Sequence, residues 1–291
     1  MLAREEYVEQ AHLFRTLGER LPENLPMQEL LGQVKQELLS TTRLPMAVDF
    51  LLAELRHAGT ISTAMARLGH YFTPFQTYVI QEAELERGRF DMRIALAILH
   101  HEADLRSKDP PRPTLFMYQF ECLCRNRLRY DPGLTAMSKD PMFNEDWRSW
   151  ILVVRAQIGL IDFADMIYVR SEYYLMQRSR PGEPVAEPEA AVLFGEKEGK
   201  IAWANRRKDP LYLFAALQRQ LGYPAVPRPK RPDESRNLLP LLLVRMDRVE
   251  TRLKMLEEEG RRGAVDLTKF YGPDTKLPAV PPPDDLMLGP G

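Results

Sequence analysis

The feature that most constrains this chain is helix-period apolar patterning, cut into short lengths by proline and glycine over its first 165 or so residues. Val8, Ala11, Leu13, Phe14 and Leu17 recur on one side of a 3.6-residue repeat, and Pro22 and Pro26 punctuate that stretch. Pro45 and Gly59 frame a second stripe of Val48, Leu51, Leu52 and Leu55, with proline at a helix start and glycine past its end. Thr73-Pro74 reads as an N-cap with a first-turn proline, and further helices fit 114–130, 132–138 and 144–158. Such segments bury one stripe each, so they must pack on one another.

Beyond residue 165 the pattern changes. YVRSEYYL (168–175) is rich in β-branched and aromatic residues, and the sequence leaves residues 168–177 open between strand and helix. VLFGEKEGKIAW (192–203) places two short apolar runs around a charged, glycine-bearing turn, which reads as a β-hairpin. A phosphate loop would need four residues between the glycines and a Lys-Ser or Lys-Thr pair leading into a helix. Here Gly195 and Gly199 enclose three residues, two of them glutamates, and Ile201 stands where the hydroxyl would be. Asp209-Pro210 then opens an amphipathic helix that Gly222 closes.

The expected architecture is mainly α: a multi-helix bundle with a small antiparallel β-hairpin element and a C-terminal coiled-coil-like helix. The boundaries expected are a helical bundle at 1–180, then a Pro-rich loop, hairpin and amphipathic helix at 181–223. A linker at 224–236, a coiled-coil-like helix at 237–260 and a disordered Pro-rich tail at 261–291 follow.

The last helix carries a heptad seam. Leu239, Met246 and Leu253 fall at a, and Leu242, Val249 and Leu256 at d. Arg245 and Arg252 then occupy g, and Glu250 and Glu257 occupy e. In a parallel coil g meets e of the next heptad on the partner, so arginine meets glutamate. This points to a structural or regulatory protein-protein interaction module acting through its C-terminal helix and tail, with a protein partner or a homo-oligomer engaged through residues 237–260. The alternative use of the seam is docking on the chain's own bundle.

Two Glu-x-x-His pairs, Glu9 with His12 and Glu54 with His57, carry the second reading, a carboxylate-bridged di-metal enzyme of the helical-bundle type. Such a site also needs lone inward carboxylates, for which Glu82, Glu84, Glu86 and Glu102 are candidates. His100 and His101 are adjacent and diverge by about 100° on a helix, so they do not face one ion together. Cys122-x-Cys124 lacks the further ligands of a structural zinc site. No hydrolase elbow, metalloprotease helix or dinucleotide fingerprint is present. No cofactor is implied, and the balance of readings leans away from an enzyme.

With 40 Lys+Arg against 41 Asp+Glu, the chain is not the basic protein a nucleic-acid binder usually is. The basic runs Arg125, Arg127, Arg129 and Arg228, Lys230, Arg231 have no interleaved aromatics for base stacking. Tyr168, Tyr173 and Tyr174 read either as an interface or as a cover for the bundle. The N-terminus lacks the apolar core of a signal peptide, the longest apolar run (238–244) is too short to span a bilayer, and two cysteines make no disulfide framework. A cytoplasmic protein without a membrane role is the expectation.

Overall fold

The computed structural model describes residues 2–23, 25–85, 90–178, 190–229, 245–246 and 248–254. Two compact units divide the chain, Met1–Pro229 and Lys230–Gly291.

The first unit is all helix among its described residues. Its helices are α1 (Arg4–Arg20), α2 (Met27–Lys35), α3 (Leu44–Ala58), α4 (Ile61–Arg67), α5 (Pro74–Glu84), α6 (Met92–Ser107) and α7 (Arg112–Asn126). Then come α8 (Tyr130–Ser138), α9 (Glu145–Gln157), α10 (Phe163–Val169), α11 (Glu172–Arg178), α12 (Glu196–Asn205) and α13 (Pro210–Leu221). Side-chain caps set several starts. Thr73 and Gln76 form a reciprocal capping box on α5, and Asp91, Asn144, Asp162 and Asp209 each accept a first-turn N–H. Gly59 and Gly222, at φ 72° and 70°, take the left-handed conformation that ends α3 and α13.

α1 packs chiefly along α6, and α8 lies on α9. The α6 and α7 stripes are buried almost completely: Leu96, Ile98 and Leu99 on one, Leu115, Phe116, Tyr118 and Phe120 on the other. Phe116 is the hub of an aromatic cluster. Its ring stacks on Phe120 at 5.7 Å between centroids and meets Trp150 edge-on at 4.9 Å, while Trp147 and Trp150 both abut Phe194.

The hairpin expectation is corrected. No strand occurs among the described residues, and only two isolated bridges remain, Ile158 with Ile161 and Ser171 with Phe194. The expected hairpin is instead an extended lead-in followed by α12. Leu193 and Phe194 both donate to the Arg170 carbonyl, Phe194 sinks into the tryptophans, and the helix begins at Glu196. Glu196 and Glu198 lie in its first turn, where the positive end of the helix favours carboxylates, and Glu196 pairs with Lys200 one turn on. Gly199 is there for close approach. A Cβ at this position would collide with the Ser171 side chain and come within 2.7 Å of Tyr173 Cβ.

Residues 168–175, open to strand or helix on sequence, take the helical alternative and split between α10 and α11. The Ser171 hydroxyl donates to the Tyr168 carbonyl and accepts the Tyr174 N–H, closing one helix and opening the next. Aromatic content here serves packing, not sheet formation.

In the second unit, residues 245–246 and 248–254 are helical. The expected Pro-rich loop at 181–189, the linker from 230 onward and the tail at 261–291 lie outside the described residues.

Candidate interaction surfaces

The structure does not gather the four residues of the di-metal reading. Glu9, on α1, is buried and accepts the Leu39 N–H at 3.0 Å. His12 Nδ1 faces the Arg15 guanidinium at 3.2 Å. On α3, Glu54 pairs with Arg67 at 2.6 Å, and His57 is exposed in the last turn. Among the described residues no three His, Cys, Asp or Glu side chains are placed to hold one ion.

The supporting carboxylates are equally engaged elsewhere. Arg129 donates twice to Glu82, at 2.9 and 2.6 Å. Glu84 accepts the Ile61 and Ser62 N–H groups at 2.5 and 3.1 Å, capping α4 from a distance. Glu102 accepts from Gln76, Arg106 and Gln119 inside the core. Glu86 lies outside the described residues. This donor set does not fit a bridged metal pair.

Sequence periodicity gave no hint of the polar network around Glu102. Arg106 bridges Glu102 and Asp140, all three side chains being buried. Gln76 links Glu102 to Gln10, whose amide donates to the Tyr71 carbonyl, so α1, α5, α6 and α7 share one hydrogen-bonded system. Burial pushes the Glu102 carboxyl above its ordinary value, Arg106 opposes this, and Asp140 adds to it. A second buried set joins Tyr223 to Glu121 at 2.7 Å, with Arg125 on the other carboxylate oxygen. These groups are enclosed and hold helices together.

His100 bonds the Ala11 carbonyl at 2.9 Å, while burial, with His100 next to it, lowers the pKa of His101. The adjacent histidines therefore serve separate places. Burial pushes the Cys124 thiol up to about 12 and the Cys122 thiol well above its ordinary value, so neither is a reactive thiolate.

Tyr168, Tyr173 and Tyr174 form a closed surface cluster. Tyr168 is buried against Trp203 at 4.6 Å, and the Arg206 guanidinium covers the indole at 3.3 Å. Lys200 lies over Tyr173. The cations and rings satisfy one another here. A groove of about 480 Å³ runs between α5 and α8, over Phe72, Pro74, Tyr78, Pro132 and Ala136. Its charged lining groups are Asp131, which pairs with Arg155 at 3.6 Å, and Lys139. No histidine or cysteine lines it.

Residues 224–229, at the start of the expected linker, lie against the bundle. Tyr223 and Val226 are buried, and Asn126 donates to the Pro227 carbonyl at 3.0 Å. The described seam residues are all exposed, unlike the mostly buried stripes of α6 and α7. Met246, Val249 and Leu253 are 61%, 55% and 53% exposed, and Arg245, Glu250 and Arg252 beside them are exposed too. Leu239, Leu242, Leu256 and Glu257 lie outside the described residues. No described helix is long and apolar enough to cross a membrane.

Comparisons with protein-family models, with curated proteins and with solved structures gave no match.

Proposed function

We propose that this chain is a structural or regulatory interaction module, which recognises a protein partner through its C-terminal helix. One observation carries the reading: Met246, Val249 and Leu253 stand at seam spacing with more than half of each side chain in solvent. An apolar stripe of that regularity is costly to leave wet, at roughly 25 cal/mol per Å² of apolar surface. Most stripe residues of the Met1–Pro229 helices are buried within that unit, while Val8, Met46, Leu160 and Tyr212 are exposed.

The enzyme reading has no comparable support. The carboxylates nominated for it that are described each hold a backbone N–H, an arginine or an amide.

Size-exclusion chromatography of the full chain, alone and added to cell extract, tests the proposal against Val249→Asp. A charge placed at d weakens any seam-based contact. The expected result is an early-eluting species for the wild type that the variant does not form. Identical elution of the two proteins in both settings overturns the proposal.

A further inference from the structure

We infer that the partner is a second copy of this chain, paired in parallel and in register as a two-stranded coil. The inference rests on the interaction reading above and names its partner.

The charges decide the orientation. Arg245 at g and Glu250 at e are both exposed on the described helix. Across a parallel pair, Arg245 of one copy faces Glu250 of the other, and the symmetry gives that contact twice. Arg252, at the next g position, is exposed as well. An antiparallel pair brings g to g and e to e, which sets arginine near arginine and glutamate near glutamate. A parallel pair slipped by one heptad loses one g–e layer and part of the seam.

The flanks also set the number of strands. Among the described residues Arg245, Glu250 and Arg252 at g and e leave Met246, Val249 and Leu253 at a and d as the apolar stripe. That is the narrow seam of a two-stranded coil, whereas larger assemblies bury a wider face. A mixed pair with an unrelated protein needs no such self-complementarity. This helix has it.

Light scattering on the full chain over a dilution series tests this. The mass is expected to rise from 33.7 kDa towards twice that value with concentration. Arg245→Glu with Arg252→Glu turns each charged contact repulsive in a parallel pair and should raise the dissociation midpoint ~10-fold. Adding Glu250→Arg and Glu257→Arg should bring it back. In an antiparallel pair the first change merely replaces one like-charge set by another.

Leu253→Cys gives a direct check of orientation. In the parallel pair the two residues face each other within disulfide reach and cross-link on mild oxidation, whereas an antiparallel pair separates them by more than 10 Å. Circular dichroism confirms that each variant is folded. A doubled mass without cross-linking, a mass above two chains, or an unchanged midpoint for the double arginine variant overturns the inference. A single-chain mass throughout also overturns it. If the seam-dependent complex still forms in extract, the interaction reading stands.

Discussion

Glu102 and Arg106, one turn apart on α6, form an ion pair in which both side chains are at most 1% exposed. Arg106 Nε donates to Glu102 Oε1 at 2.6 Å, and its other face is taken by Asp140. Removing the arginine leaves two carboxylates buried without a counter-charge. Arg106→Met should therefore lose ~3–5 kcal/mol of stability by urea denaturation. A loss under 1 kcal/mol would show that the network is not held together by this cation.

Stability should fall in alkali, because buried thiols and phenols ionise more readily once unfolded. Burial raises Cys124 from 9.0 to about 12, and raises Cys122, Tyr71, Tyr78 and Tyr223 as well. A group whose folded pKa lies above its unfolded value contributes fully below the unfolded pKa and loses that contribution as pH rises towards the folded one. Stability should thus be flat to about pH 9 and then fall, first through the thiols and then through the phenols. Thermal melts at pH 7, 9, 10 and 11 read this directly, and a constant melting temperature across them contradicts it.

The sign of one substitution separates a packed α12 from a solvated turn. In an exposed helix Gly→Ala stabilises by ~0.5–1 kcal/mol. At position 199 the added methyl would drive into Ser171 and Tyr173, so Gly199→Ala should destabilise instead, by ~1–3 kcal/mol. Chemical denaturation gives the sign, and stabilisation would place α12 elsewhere.

Four alanine variants distinguish structural carboxylates from a ligand set. Glu9→Ala frees the Leu39 N–H and should cost ~1–3 kcal/mol, with faster hydrogen exchange over the α2–α3 loop. Glu54→Ala removes a partly exposed pair with Arg67, and His57→Ala and His12→Ala act on side chains without a buried partner. These three should change stability little. Equal effects from all four, together with stoichiometric metal in the purified protein, would restore the di-metal reading.

Helix boundaries were legible wherever a local device marks them. Thr73-Pro74, Asp209-Pro210, Gly59 and Gly222 each act through their own backbone or a neighbour's N–H, which the sequence displays. The hairpin misreading at 192–203 came from a fact no local pattern contains. Phe194 is buried between Trp147 and Trp150, brought there from some 45 residues away, and Gly199 fits under Ser171. The Glu102 network was hidden for the same reason, since nothing local marks Gln10, Gln76 and Gln119 as buried partners. Chance spacing made Glu9 and Glu54 look like ligands, and only their partners show loop and surface roles. The 3-4 spacing of Met246, Val249 and Leu253 is readable in the sequence because it repeats within one stretch, and residues 245–246 and 248–254 are helical.

Hydrogen exchange over residues 245–254 of the purified full chain reports whether this helix is paired. Paired helices protect their amides, whereas a lone helix of this length in water frays. A paired helix should show protection at high protein concentration, lost on dilution and absent in Val249→Asp. Fast exchange of these amides at every concentration, identical in the wild type and the variant, would contradict it.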